Sequence, residues 1–522
     1  MRNADSIQFE VSSKNQINKN IGKKRLTINL IANLFTHGVS MLVSFLLTPY
    51  LVNHLGKEIY GFYGLANNVV NYITIVSVAL NSMAAKYITV ELVRGQEVKA
   101  KQYYSSIFFS NFAFTVLLTP FLTVIVCNIQ NIFVVSHVYL RDVKILFSLV
   151  FTAMLLRFIT SVFGTATYAS NRIDLRAYSD LVKSILKVVL FISLFAIVKP
   201  SIIYVGLVLF ILEFYNAFVQ LYLARRLTPT LVIKRYYFNI KLVWSTLRIG
   251  FWNSLNQLGD LLLSSSDLII GNIMLGEVAG GNLSIIKTMP TLISGVITAI
   301  NAVFMPRIAT RYGQGNKNAL VAEVNMSQRI MGVFITSIVM LIILFGKEFF
   351  NLWVPGNDSQ LLMELSALEV SRMMIIGVVW PVSNLNIVMD KIKIPSILVI
   401  VSGILNIASM YFLISFTGLG IYVIPLTTLI LSGFFYGVFI PLYASKLMGL
   451  KWNTYMTPVL EMIISAILIW CIVIPIKSML VINSWFHFFL YGGICGLISL
   501  ALCLLVYIKP KNILSIIYQL NK

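Results

Sequence analysis

The chain repeats itself at an offset of 220 residues. Over residues 33–81 this offset aligns ten identical residues in 49 positions without a gap. Apolar matches are expected in so hydrophobic a chain, but asparagine and glycine matches are not. The most informative residues are Asn33, Leu55, Gly56, Gly61 and Asn81, which match Asn253, Leu275, Gly276, Gly281 and Asn301. The repeat predicts two fused copies of one unit, which in a membrane protein indicates a transporter with a cavity between the copies.

Long apolar segments determine the predicted fold class. The chain is 58% hydrophobic and 11% charged, too apolar to cover the surface of a soluble domain. Since a helix needs roughly 20 apolar residues to cross a bilayer, we predict an all-α polytopic membrane protein with about 14 transmembrane helices. The predicted spans are 27–52, 59–81, 105–127, 145–168, 180–198, 201–222, 246–273, 281–304, 328–353, 366–389, 394–415, 418–442, 456–476 and 483–508.

The basic residues predict the orientation of these spans. If the N-terminus is cytoplasmic, 30 of the 40 Lys and Arg residues fall in cytoplasmic segments and six fall on the opposite side. This asymmetry is the positive-inside rule, and it explains the net charge of +21 without a nucleic-acid partner. Both termini are therefore predicted to be cytoplasmic.

The repeat also predicts the domain organisation, because spans 1–6 match spans 7–12 in the same orientation. We predict a cytoplasmic tail over 1–26, an N-lobe over 27–222 and a lobe linker over 223–245. We further predict a C-lobe over 246–444, two added helices over 456–508 and a cytoplasmic tail over 509–522.

Amide side chains recur on one face of the first two helices of each copy. Their spacings of three, four and seven residues place them on one side of a helix. The candidate cavity residues are Asn33, Asn67, Asn71, Asn253 and Asn256. Because polar groups facing lipid are costly, we predict that they line a substrate cavity. Amides that join neighbouring helices are the alternative.

Ionisable residues within the spans are not repeated. Asp260 and Asp267 in span 7 are candidates for coupling transport to an ion, and Lys287 in span 8 is a candidate for binding substrate. Their counterparts 220 residues earlier are Ser40, Leu47 and Asn67. A purely structural bond between Lys287 and one of the aspartates is the alternative.

Two arginines extend the predicted cationic site. Arg157 lies in span 4 and Arg372 in span 10, and a guanidinium binds phosphate or carboxylate through paired hydrogen bonds. With Lys287 they suit an anionic head group, although Arg372 also reads as an interfacial residue beside Glu369. Two membrane acids have no obvious mate in the sequence and are predicted to have local structural roles; they are Glu213 and Glu461.

The architecture and the local sequence resemble a known family. The first span runs into Leu47-Thr48-Pro49-Tyr50-Leu51-Val52, and Leu55-Gly56 and Tyr60-Gly61 follow. With fourteen spans, two six-helix halves and an added C-terminal pair, the chain resembles the Wzx-type polysaccharide (O-antigen repeat-unit) flippases. These belong to the multidrug/oligosaccharidyl-lipid/polysaccharide exporter superfamily, and the resemblance implies a MATE-like fold.

The resemblance implies a function at the bacterial inner membrane. Such a flippase moves undecaprenyl-pyrophosphate-linked oligosaccharide repeat units to the outer leaflet by alternating access, with H⁺ or Na⁺ as the coupling ion. Its partners are this lipid-linked substrate, membrane lipids, and a polysaccharide polymerase or glycosyltransferases of the same pathway. No phosphate-binding GxxxxGK[ST] loop is present, so ATP hydrolysis is not expected. Neither a cofactor nor a metal site is predicted.

Three alternatives remain open. A multidrug/cation antiporter of the same superfamily is favoured by Asp260 and Asp267 but opposed by the three membrane cations. A lipid II flippase also fits, because its cargo is also a lipid pyrophosphate. A polytopic polysaccharide polymerase or glycosyltransferase is the weakest, because the predicted external loops are short and carry no paired carboxylates. The chain is therefore not expected to be an enzyme.

Overall fold

The computed structural model describes residues 32–33, 35–81 and 84–507. Within these residues all regular structure is helical, which confirms the predicted all-α fold class. The α-helices are α1 Phe35–Leu55, α2 Lys57–Asn81, α3 Ala84–Val93, α4 Glu97–Cys127, α5 Ile129–Ile132, α6 Leu140–Thr160, α7 Thr165–Ala169, α8 Ile173–Ile197, α9 Ile202–Leu227, α10 Ile240–Ser264, α11 Ser266–Leu275, α12 Glu277–Ile286, α13 Thr288–Gly313, α14 Lys317–Trp353, α15 Ser359–Val388, α16 Lys393–Phe416, α17 Val423–Ser432, α18 Ile440–Leu447, α19 Thr457–Ser478 and α20 Trp485–Tyr507. A π-helical turn, Gly433–Phe439, joins α17 to α18.

The helices make this a multi-pass membrane protein. Eleven helical stretches within the described residues are long and apolar enough to cross a membrane. The three other predicted spans correspond to α2, α8 and α15, single helices of 25, 25 and 30 residues. Charged and amide side chains make these three less apolar, and the site described below uses several of them. The count of fourteen spans therefore stays a prediction.

The contacts divide the chain into two compact units. The first unit contains the described residues of Met1–Ser44, Val76–Cys127 and Lys144–Phe251. The second unit contains those of Phe45–Ile75, Asn128–Val143 and Trp252–Lys522, and so includes most of α2. The predicted lobes, 27–222 and 246–444, divide the chain differently and stay a prediction.

The repeated Leu-Gly pairs end helices in the same way. Gly56 separates α1 from α2 with φ at +83°, and Gly276 separates α11 from α12 with φ at +87°. This left-handed region is strained for any residue with a Cβ atom. The need for this turn explains why both copies carry glycine there.

The repeated glycines Gly61 and Gly281 lie against each other where α2 crosses α12 in the second unit. A Cβ atom on Gly61 would lie 2.9 Å from the backbone nitrogen of Gly281. One turn further along, Gly64 faces Ser284, and these two positions are also related by the 220-residue offset. The glycine matches thus mark a close contact between equivalent parts of the two copies.

Helix α14 organises the rest of the second unit by packing against α13, α15, α19 and α20. The two C-terminal helices are therefore attached to the second unit along α14. Arg329 of α14 donates to both carboxylate oxygens of Glu461 on α19, at 2.9 and 3.1 Å. Glu461 has no obvious mate in the sequence because its partner lies on a helix 132 residues away.

Candidate functional site

Predicted spans 7 and 8 are both interrupted in the structure. Span 7 consists of α10 and α11, which are separated at Ser265, and span 8 consists of α12 and α13, which are separated at Lys287. Pro290 accounts for the second interruption, because a proline cannot donate to the carbonyl four residues earlier. Interrupted helices in membrane proteins expose backbone groups that bind ions and substrates.

Side chains of other helices bind backbone carbonyls at the α10–α11 interruption. Asn406 of α16 donates to the carbonyl of Leu263 at 3.1 Å, and Lys287 donates to that of Ser264 at 2.9 Å. Asn68 of α2 donates to the carbonyl of Ser265 at 2.8 Å. Three successive carbonyls therefore have partners despite their position within a membrane span.

Tyr72 of α2 also contacts this interruption. Its hydroxyl donates to the carbonyl of Leu261 at 2.9 Å and lies 2.8 Å from the hydroxyl of Ser266. The repeated polar pattern singled out Asn67 and Asn71 of this helix but not the adjacent Asn68 and Tyr72. A helical pattern identifies a polar face but not which of its residues meets a neighbouring helix.

Lys287 is the centre of a buried ion cluster in the second unit. Its ammonium group donates to one carboxylate oxygen of Asp267 and, at 2.7 Å, to one of Glu369. Asp267 is fully buried and Glu369 is 1% exposed. Lys287 was predicted to bind substrate and Asp267 to couple transport to an ion. The structure brings the two together in an ion pair, which was the alternative interpretation.

Arg372 completes the ion cluster, which is defined here as Asp267, Lys287, Glu369 and Arg372. A guanidinium nitrogen of Arg372 lies 3.6 Å from Glu369, one helical turn away on α15, and the residue is 7% exposed. Two positive and two negative charges balance. Such a cluster is costly to bury. Removing one member leaves an uncompensated buried charge, which lowers the free energy of unfolding by about 3–5 kcal/mol.

Neutral side chains hold Asp267 on its other side. Thr428 of α17 donates to its second carboxylate oxygen at 3.1 Å. The hydroxyl of Thr428 accepts in turn from Asn406 at 3.0 Å. Asp267 is therefore fixed by α16 and α17 as well as by Lys287. Thr428 and Asn406 gave no sequence signal beyond being polar residues within apolar spans.

Asp260, the second predicted coupling residue, contacts a different partner. The hydroxyl of Tyr436 donates to its carboxylate. Tyr436 lies in the π-helical turn Gly433–Phe439, a distortion that is frequent at functional sites. Asp260, a half-buried acid on α10, is therefore hydrogen-bonded to an irregular segment of the neighbouring helix.

Arg157 lies in the first unit, in a second charged site. Glu213 of α9 is 2% exposed and accepts from Lys183 of α8 at 3.0 Å and from Asn216 at 2.8 Å. Arg157 of α6 lies 3.5 Å from the same carboxylate, and 52% of its side chain is exposed. Glu213, which has no obvious mate in the sequence, thus has two cations beside it. Helix α8 begins at Ile173 rather than at residue 180, so Lys183 lies well inside the helix and not near its first residue.

The predicted asparagines lie in different local environments. Asn67 donates to the carbonyl of Tyr63 in its own helix at 2.9 Å, and Asn71 is exposed. Asn33 and Asn256 are half-buried. The side chain of Asn253 lies outside the described part of the structure. The predicted asparagine-lined cavity stays a prediction.

Comparisons with known proteins agree on the fold and on the family. The model of the family described as polysaccharide biosynthesis protein matches residues 26–311. A relative described as uncharacterized membrane protein EpsK, from Bacillus subtilis (strain 168), is 25% identical over 464 residues, which cover 88% of this chain and 91% of that protein.

Solved structures of two transporter types share the fold. An inward-facing multidrug resistance MATE family transporter of the MOP superfamily has a TM-score of 0.67 at 14% identity, and covers 81% of this chain and 97% of its own. The lipid II flippase MurJ, in an inward closed conformation, has a TM-score of 0.64 at 14% identity. The alignment covers 94% of this chain and 98% of that protein. The predicted MATE-like fold is confirmed. The family match spans more than half of the chain, so the chain belongs to the polysaccharide biosynthesis protein family, with the fold of the flippase-type transporters.

Proposed function

We propose that the chain is a flippase that moves undecaprenyl-pyrophosphate-linked oligosaccharide repeat units across the bacterial inner membrane by alternating access. The observation that carries this proposal is the site of Arg157, Lys183 and Glu213 in the first unit. Two cations share one buried carboxylate there. Asp180 adds a second acid near Lys183, but Arg176 lies near Asp180, so the group keeps a net positive charge. A pyrophosphate carries the complementary charge, and an arginine binds it through a bidentate fork.

The depth of this site supports a role in transport. Glu213 lies eleven residues after the start of α9 and fourteen before its end, which is about 16 Å and about 21 Å along the helix. A charge at this depth is not stable in contact with lipid, yet half of the Arg157 side chain is exposed. The exposed face of Arg157 therefore suits a water-filled path rather than the bilayer.

Lys287 and Arg372, the other predicted substrate cations, are compensated by carboxylates. We therefore assign first contact with the pyrophosphate to Arg157 and assign coupling to the second unit. There, Asp260 and Asp267 are the proposed coupling residues, with H⁺ as the ion, because the ammonium group of Lys287 already occupies the cation position beside Asp267. Both termini are proposed to be cytoplasmic.

The test is translocation by purified protein in proteoliposomes. The substrate is labelled undecaprenyl-pyrophosphate-linked oligosaccharide from the cells that carry this chain, and membrane-impermeant periodate reports which leaflet it occupies. We expect Arg157→Ala to slow translocation about tenfold or more, because a hydrogen bond to a charged group contributes about 1.5–3 kcal/mol. Imposed H⁺ or Na⁺ gradients in the same vesicles identify the coupling ion.

Arg141→Ala is the matched control, because Arg141 is an exposed arginine near the start of the same helix. It should translocate at the wild-type rate. A wild-type rate in folded Arg157→Ala protein would contradict the assignment of Arg157. Export of ethidium without movement of the oligosaccharide would favour the multidrug antiporter, and a preference for lipid II would favour the lipid II flippase.

A further inference from the structure

The ammonium group of Lys287 occupies a place where three oxygens converge. They are a carboxylate oxygen of Asp267, one of Glu369 at 2.7 Å and the backbone carbonyl of Ser264 at 2.9 Å. Hard cations are bound in proteins by such sets of carboxylate and carbonyl oxygens. These three oxygens could therefore bind a free cation, and the ammonium group of Lys287 takes the place of that cation.

The interrupted helix favours a cation at this position. Ser264 is the last residue of α10, so its carbonyl belongs to the negative end of that helix dipole. The C-terminal ends of broken helices coordinate Na⁺ in transporters. The position therefore favours positive charge through its backbone as well as through its two acids.

The oxygens are held in place by groups other than Lys287. Thr428 donates to the second carboxylate oxygen of Asp267, and Arg372 lies beside Glu369 on α15. The Oε2 atom of Glu369 is buried and has no hydrogen bond among the described residues. Removing the lysine side chain leaves a positioned set of ligands with excess negative charge.

We infer that Lys287 is a tethered counter-ion that fills a monovalent-cation site, and that removing its side chain opens this site to Na⁺. Wild-type protein then binds no Na⁺ here, because the ammonium group and the neighbouring Arg372 already neutralise Asp267 and Glu369. The sequence predicts one such site per chain, since the residues equivalent to Lys287 and Asp267 in the first copy are Asn67 and Leu47. The inference concerns ion binding by the isolated protein and does not depend on the proposed substrate.

Binding of ²²Na⁺ to purified full-length protein in detergent tests this inference. We expect Lys287→Ala to bind about one Na⁺ per chain in a saturable manner. Wild-type protein and Lys287→Arg, which keeps the positive charge, should bind none above background. The double variant Lys287→Ala/Asp267→Asn removes one ligand and should lose the gained binding. Equal binding by the single and double variants, or none by Lys287→Ala, would overturn the inference.

Thermal unfolding provides a second measurement, because Lys287→Ala and Lys287→Met leave two buried carboxylates without their lysine. A ligand that binds only the folded state raises stability with its concentration. We expect NaCl to raise the unfolding temperature of both variants above that in N-methylglucamine chloride of equal ionic strength. Wild-type protein should show no difference between the two salts. Failure of both variants to fold in Na⁺ buffer would also contradict the inference, since Na⁺ should replace the missing charge.

Discussion

Glu213 and Glu369 show how differently two buried acids are neutralised in this chain. Glu369 is surrounded by Lys287 and Arg372, both mostly buried, in a cluster whose charges balance. Glu213 is bound by Lys183 and lies near Arg157, and both cations are partly exposed. The first arrangement compensates its charges internally, whereas the second leaves positive charge that a ligand can neutralise.

The contribution of Glu213 to the free energy of unfolding can be measured with a substitution that removes its charge. Glu213→Gln keeps the shape of the side chain but removes the charge that Lys183 contacts at 3.0 Å. We expect a loss of about 1.5–3 kcal/mol, the value for a hydrogen bond to a charged group, seen as a lower unfolding temperature in detergent.

Glu97→Gln provides the control for this prediction. Glu97 pairs with Lys101 one turn away on α4, and 53% of its side chain is exposed. An exposed pair of this type contributes about 0.3–0.5 kcal/mol, so its loss should barely change the unfolding temperature. Equal effects of the two substitutions would mean that burial does not strengthen the Glu213 pair.

At the scale of elements, the sequence predicted where helices lie better than where they are interrupted. Hydropathy averages over a whole span, so it placed α10 and α11 in one segment without detecting Ser265. Carbonyls at the interruption are bound by Asn68 and Asn406, which are far away in sequence. Charge pairs such as Lys287 with Glu369 were missed for the same reason, because their partners become neighbours only when separate helices pack.

The crossing of α2 and α12 was predictable in part, because the repeat singled out Gly61 and Gly281 without indicating that they touch. Gly61→Ala would place a methyl group 2.9 Å from the backbone of Gly281. Backbone does not yield as a side-chain end does, so the two helices must separate. We expect a loss of about 1–3 kcal/mol, measured as a lower unfolding temperature.

Gly492→Ala is the matched control for this prediction. Gly492 lies within α20, and a Cβ atom there has no neighbour within 4 Å. Alanine favours a helix more than glycine does, so this substitution should leave the unfolding temperature unchanged or slightly higher. If Gly61→Ala behaved in the same way, the close crossing would not contribute to stability.

At the scale of the whole molecule, the two copies share backbone geometry but differ in charge. The turns at Gly56 and Gly276 have nearly the same φ, and the repeated glycines meet at a crossing. Asp267 and Lys287 have no ionisable equivalents in the first copy. The duplicated features are therefore those that the fold requires, and the unmatched charges are those that the proposed function uses.

The predicted orientation depends on the distribution of Lys and Arg, and a pair of cysteine substitutions tests it. Asn453 lies between α18 and α19, in a segment predicted to be cytoplasmic, and Asn483 lies between α19 and α20, predicted to be external. Both residues are exposed. In a background without the four native cysteines, a membrane-impermeant maleimide added to intact spheroplasts should label Asn483→Cys and not Asn453→Cys. After permeabilisation both should be labelled, which shows that both thiols react. The reverse pattern would invert the chain and place the tails outside, against the positive-inside rule.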